Sequence, residues 1–211
     1  MNDKDYSSIH DAVAAYYDGK LREFGATSKG VDWRDESSHI LRHRQFLYLL
    51  GDDFEASVCD LGCGYGHFLT FLRAHGYRGR YIGCDISAQM LEVAKQQHVA
   101  DRNHEWVLAS RPQSANDYLI ASGIFNVRRG AELEDWERYI FDTIDVMFSA
   151  CMKGIAFNIL STVSDVAFRR DDLYYADPIK LFERCASRYG RHIALLQDTQ
   201  LYEFTLVIRK E

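Results

Sequence analysis

At 211 residues, with 47% hydrophobic and 27% charged side chains, the chain has the size and balance of one folded domain with a real core, which excludes a disordered or fibrous polymer. A formal net charge of −6 argues against a phosphate-tracking surface, because nonspecific nucleic-acid affinity comes from Lys and Arg displacing counterions. The sequence has neither a basic leader followed by an apolar run nor a stretch of about 18 apolar residues, so we expect a cytoplasmic protein with no membrane span and no nucleic-acid partner.

The first 55 residues are helical in pattern and rich in aromatics, including Tyr6, Phe24, Phe46 and Tyr48. They are expected to form a helical cap, 1–55, on a sheet domain spanning 56–211. From residue 57 onward short apolar runs alternate with helical patterns, the signature of parallel strands joined by crossover helices. Residues 57–61 (SVCDL) read as a first buried strand. Residues 67–76 follow as a helix, with Phe68, Leu69, Phe71 and Leu72 toward the core and Gly76 as its stop. Residues 80–85 (RYIGCD) are the second strand, and Ser87 is placed to cap a helix in which Met90, Leu91 and Ala94 keep helical spacing.

Residues 104–109 and 117–125 read as the third and fourth strands, the latter too continuously apolar for a half-solvated edge. Between 132 and 150, Trp136, Tyr139, Ile140, Thr143, Ile144, Met147 and Phe148 recur at three and four residues and form one broad apolar stripe. Residues 153–160 make a fifth strand. Asp177 before Pro178 is an N-cap followed by a first-turn proline, and residues 192–198 and 201–210 close the chain as an antiparallel hairpin. The expected class is α/β, a doubly wound seven-stranded sheet, mostly parallel with an antiparallel last strand, plus the N-terminal helical cap. The five cysteines are odd in number and show no CxxC spacing, so neither a disulfide framework nor a metal site is expected, and Cys63 reads as a small loop filler.

The densest signal is DLGCGYG at 60–66. A strand ending in Asp60, then Gly62, Gly64 and Gly66, then a helix, puts a turn without side chains at the carboxyl edge of the sheet, where a ligand can approach the backbone. Asp85 ends the next strand, at the position where an acidic side chain accepts hydrogen bonds from ribose hydroxyls. Dinucleotide sites favour G-x-G-x-x-G, with a pyrophosphate on the helix N-terminus. Here the third glycine comes one residue early, and Asp60 would repel a pyrophosphate.

On DLGCGYG and GCDIS together, the chain resembles the class I S-adenosylmethionine-dependent methyltransferases, whose first motif is an acidic residue followed by G-x-G-x-G and whose second strand ends in an acidic residue. The resemblance extends over residues 37–211, including the closing hairpin, and implies a Rossmann-like fold. It implies S-adenosyl-L-methionine as cofactor and S-adenosyl-L-homocysteine as product. By the family pattern Gly62, Cys63, Gly64 and Gly66 face the methionine part, Asp60 orients the ammonium, Asp85 binds the ribose hydroxyls, and Ile86 and Met90 lie near the adenine. Many members place an acid after the third strand; this chain has VLASRP there, so Ser110 or its neighbouring backbone takes that place. Arg42 is placed to pair with the cofactor carboxylate, and Trp33 and Ser122 are grouped with the cofactor contacts.

Methyl transfer from a sulfonium requires a nucleophile held in line in a dry pocket, and a base where the acceptor is a hydroxyl or an ammonium. Strand ends in open α/β sheets supply acceptor contacts, which nominates Phe125 and Asn126 after the fourth strand and Asn158 and Ser161 after the fifth. Tyr174 and Tyr175 in the polar loop 169–178, and Tyr16 and Tyr17 in a lid-like segment 16–33, are further acceptor candidates. His39 and His43, four residues apart, share a helix face, a spacing that can bind metal. With no third ligand in view they join Tyr17 as candidate bases. ASGIFNV does not resemble the Asn/Asp-Pro-Pro-aromatic motif of enzymes that methylate amino groups of nucleobases and glutamine. The expected reaction is therefore in-line methyl transfer to O or N of a small molecule. Alternatives are a nicotinamide-dependent oxidoreductase and a noncatalytic nucleoside-binding partner protein.

Overall fold

Every residue of β1 (Val58–Leu61) and β2 (Tyr81–Asp85) is buried, the pattern of strands covered on both faces. In the computed structural model, which describes residues 5–211, these strands lie in a seven-stranded sheet. Its other members are β3 (His104–Leu108), β4 (Asn116–Ala121), β5 (Cys151–Leu160), β6 (Ile193–Leu196) and β7 (Glu203–Arg209), in the order β3-β2-β1-β4-β5-β7-β6. The pairs β1–β2, β2–β3, β1–β4 and β4–β5 are parallel, and β7 runs antiparallel to both β5 and β6. The strand order reverses between β1 and β4, and the crevice at such a switch point is where open α/β sheets bind ligands.

Helices cover both faces. On one, α5 (Leu133–Ala150) sets Trp136, Ile140, Ile144 and Met147 against Phe157 and Phe204. On the other, α3 (His67–Ala74) contributes Phe68, Leu69, Phe71 and Leu72. The caps read from sequence form as side-chain bonds. Ser87 accepts from the Met90 amide at the start of α4 (Ala88–Gln97), and Asp177 accepts from the Ile179 and Lys180 amides at the start of α6 (Pro178–Tyr189).

Two elements differ from expectation. The fourth strand stops at Ala121, because Gly123 takes a φ of 79° and donates its N–H to Asn158 Oδ1, turning the chain out of the sheet. The fifth strand begins at Cys151, immediately after α5, with no intervening loop.

The segment 1–55, whose first four residues lie outside the described residues, divides between two positions. In α2 (Glu36–Leu50), opened by an Asp35–Ser38 capping box, Phe46, Leu49 and Leu50 are buried against Val58, Ile120, Ala156 and Val207, so this helix is part of the layer beneath the sheet. The helix α1 (Ser7–Phe24) and the 3-10 turn Ser28–Val31 instead lie over the carboxyl edge of the strands, where Leu21 and Val31 pack with Tyr65 and Met90. Among the described residues, no helix is long and apolar enough to cross a membrane.

Candidate active site

The ends of β1, β2 and β4, roofed by α1 and the 3-10 turn, enclose a cavity with about 990 Å³ of space between atoms, its open mouth included. Gly62 sits on its floor with a φ of 77°, and a Cβ there would stand 2.2 Å from Ile124 Cγ2. Gly64, at a φ of 54°, faces Val31 of the roof. Gly66 serves packing instead. A Cβ on it would meet the Trp106 ring at 2.5 Å, so this glycine allows close approach at the start of α3 and does not line the cavity.

Two buried carboxylates flank the loop. Asp85 accepts from the Gly64 amide through one oxygen and from the Ser87 amide through the other, both at 2.8 Å, which ties the glycine loop to the start of α4. Burial pushes Asp85 up to about 6 against the pull of those amides. Asp60 accepts from the Tyr81 hydroxyl at 2.5 Å through Oδ2, while its Oδ1 is buried with no hydrogen-bond partner among the described residues. Burial pushes Asp60 up to about 7, the Tyr81 bond opposing and the charge of Asp85 adding. An acceptor kept dry and unpaired is costly unless a ligand donates to it.

These features fit an adenosyl amino acid. The unpaired Asp60 oxygen suits an ammonium, the bare loop leaves room that a Cβ would fill, and Asp85 retains lone pairs for a diol. Among the described residues no Lys or Arg lines the cavity, while two buried carboxylates do, a charge balance that disfavours a pyrophosphate.

The roof is fastened on three sides. Asp18 of α1 accepts from the Ser87 hydroxyl and from Gln89 Nε2 on α4. The Tyr6 hydroxyl donates to Asp142 of α5. At the outer edge Asp32, in the left-handed region at a φ of 60°, accepts from the Tyr16 hydroxyl at 2.6 Å and from Arg170 at 3.1 Å, and pairs with Lys20.

Of the residues singled out by sequence, Tyr17, Trp33, His39 and His43 line the cavity from the N-terminal segment, and Asp60, Gly62, Cys63 and Gly64 from the first motif. Asp85, Ile86, Met90, Ser110 and Ser122 line it as well, and the buried Ser122 hydroxyl has no partner among the described residues. The Cys63 thiol packs beside Gly83, as a filler does.

The others are not brought to the cavity. Arg42 is buried beneath Trp33, its guanidinium 3.8 Å from the ring centre, and pairs with Glu203 at 2.8 Å instead of standing free for a cofactor carboxylate. Glu203 also accepts from Asn158 Nδ2, so Asn158 belongs to a buried chain running from Arg42 to the Gly123 turn. Asn126 Oδ1 accepts from the Leu160 amide, and Phe125 is fully buried edge-on to Phe157. Tyr16 belongs to the Asp32 clasp, Tyr174 bonds Glu137, Tyr175 accepts from the Arg170 amide, and Ser161 bonds Gln197.

One group is assembled only by the packing of α2 on α3. His67, the first residue of α3, joins His39 and His43: His43 Nε2 lies 2.9 Å from His67 Nδ1, and His67 Nε2 lies 2.8 Å from Glu36 Oε1. The His39 and His67 rings stack at 4.2 Å. Burial, then the neighbouring charges of His67 and Arg42, lowers His39 to about 2, and burial lowers His43 well below its ordinary value. The sequence cue for His67 was its place directly after the third glycine, on the ligand edge. Ile124 and Gly123 were hidden inside a run that read as strand.

Residues 59–145 match the family described as a methyltransferase domain, Methyltransf_12. The Mycobacterium tuberculosis (strain ATCC 25618 / H37Rv) protein named "Putative methyltransferase Rv1506c" is 44% identical over 154 residues, which cover 73% of this chain and 93% of that one. Among solved structures, the fold is similar to magnesium protoporphyrin IX methyltransferase (ChlM) from Synechocystis PCC 6803 with bound SAH, at a TM-score of 0.71 and 14% identity over 98% of this chain and 100% of that one. It is also similar to the N-methyltransferase NodS from Bradyrhizobium japonicum WM9 in complex with S-adenosyl-L-homocysteine, at a TM-score of 0.67 and 15% identity over 94% of this chain and 98% of that one.

Proposed function

Because the chain belongs to the class I S-adenosylmethionine-dependent methyltransferases, we propose that it methylates an oxygen or nitrogen of a small molecule held under the α1 roof. The observation that carries this reading is the unpaired Asp60 oxygen beside a bare loop, in a cavity roofed by a fastened helix. When bound, S-adenosylmethionine supplies an electrophilic methyl group on a sulfonium.

In this reading Asp60 Oδ1 accepts from the ammonium, Asp85 holds the ribose hydroxyls while its amide bonds keep the loop in place, and Gly62 and Gly64 leave the backbone accessible. Ile86 and Met90 flank the base, with Ser110 at its polar edge. Tyr17, Trp33 and Ile124 keep water out, which favours direct in-line displacement. A roofed cavity lined by aromatic rings suits a small acceptor better than a polymer. Two proteins of similar fold, a magnesium protoporphyrin IX methyltransferase and an N-methyltransferase, lend support by analogy of fold.

The test is to incubate the purified protein with methyl-labelled S-adenosylmethionine and a panel of small phenols, alcohols, carboxylates and amines, beside RNA and protein fractions. Label in low-mass products is expected. Label confined to RNA or protein would overturn the small-molecule reading.

A further inference from the structure

We propose that His39, His43 and His67 form a binding site for a divalent transition-metal ion, with an open coordination position on the cavity. The site stands on its own geometry, whereas its role in activating an acceptor rests on the methyltransferase reading above.

Two helices bring the three imidazoles together. His39 and His43 share a face of α2 at the i, i+4 spacing, and α3 delivers His67 opposite them. One ring nitrogen from each lies within 4.8 Å of the others. Two nitrogens bound to one tetrahedral zinc at about 2.0–2.1 Å stand roughly 3.3 Å apart. The 2.9 Å between His43 Nε2 and His67 Nδ1 is already close to that spacing. Neutral imidazoles suit zinc, copper, nickel and iron, while magnesium and calcium take oxygen donors.

Two further observations point the same way. Glu36 engages the outer nitrogen of His67, leaving Nδ1 to face the cluster, as a carboxylate does behind a metal-bound histidine. The Nδ1 atom of His39 is buried without a partner among the described residues. Ring stacking accounts for the contact between His39 and His67, but it does not account for a buried His39 nitrogen left unpaired.

All three rings line the cavity, so a fourth ligand would come from there. Three protein ligands with one position open is the arrangement of catalytic zinc. No carboxylate is among the three, so a dication keeps its full charge and favours an anionic fourth ligand. A hydroxyl at that position loses its proton to water more readily. The acceptor class is then a small molecule bearing a hydroxyl, and the ion takes the place of a base.

The test uses the full chain after chelator dialysis, titrated with Co²⁺ followed by visible absorption and with Zn²⁺ followed by calorimetry. Expected are one equivalent per chain, the intense ligand-field bands of four-coordinate cobalt, and loss of both in His39→Gln and His67→Asn. In case these variants fold poorly, Glu36→Gln alters a half-exposed side chain outside the cluster and is expected to weaken the metal roughly 10–100-fold. No saturable uptake, or uptake unchanged in folded variants, would overturn the site. A histidine trio that relays protons without metal would appear as that result. S-adenosylhomocysteine binding, measured on the same samples, reports the cofactor seat separately: its loss with metal uptake intact counts against the methyltransferase reading alone.

Discussion

Replacing Asp60 by Asn is expected to move stability and ligand affinity in opposite directions. The Asp60 carboxyl is lifted by burial from the ordinary 3.8 to about 7, so the folded protein holds that proton more tightly than the unfolded chain. The contribution of this group to stability is therefore present below pH 4 or so and is lost as pH rises from there through about 7. At about 1.4 kcal/mol for each tenfold change, the loss at pH 8 is on the order of 4 kcal/mol as an upper bound, and water entering the cavity reduces it. Asn has no proton to lose, and its amide oxygen still accepts from the Tyr81 hydroxyl. The ligand-free variant should match the natural protein near pH 4 and be more stable at pH 8, by about 1–4 kcal/mol in urea titrations. At pH 8 the same variant lacks the charge that meets the ammonium, a loss of about 1.5–3 kcal/mol, or roughly 10–150-fold in the dissociation constant of S-adenosylhomocysteine by calorimetry. A variant less stable than the natural protein at pH 8, or one that binds with unchanged affinity, would refute the reasoning.

Ionised Asp60 is the form that attracts the ammonium, so affinity for S-adenosylhomocysteine should rise as pH increases from 6 to 8, with proton release on binding detected by calorimetry in buffers of different ionisation enthalpy. A flat profile would place the ammonium elsewhere. Glu203→Gln strips the buried Arg42 of its carboxylate and should cost about 3–5 kcal/mol, seen as a lower urea midpoint at unchanged slope. An unchanged midpoint would mean the pair is solvated. Gly62→Ala places a Cβ 2.2 Å from Ile124 Cγ2 at a φ of 77°, so it should destabilise by about 1–3 kcal/mol and lower cofactor affinity at least tenfold. Normal binding by this variant would show that the loop does not face the ligand.

The parts of this site that were legible in sequence are those whose signals are local. Asp60 and Asp85 end strands and the glycines follow at fixed spacing, so the chain itself places them at one sheet edge. Ser87 and Asp177 declare their helix starts within three residues. What escaped depends on packing between distant segments. Arg42 and Glu203 lie 161 residues apart in sequence, and only the docking of α2 on β7 makes them a pair. Phe46, Leu49 and Leu50 looked like cap residues because their partners in β1, β4, β5 and β7 lie well beyond the cap. Gly123 hid within an apolar run, and the strand ended there because Asn158 of the neighbouring strand captures its amide. His67 was in plain view as a helix start, but its meaning comes from α2 packing against α3.

The central claim is that the loop between Asp60 and Asp85 seats an adenosyl amino acid. It is tested most directly by calorimetric titration of the purified chain with S-adenosylhomocysteine and, separately, with a nicotinamide dinucleotide. Saturable binding of one S-adenosylhomocysteine per chain, with no heat from the dinucleotide, is the expected result. Binding of the dinucleotide alone, or of neither, would contradict the account.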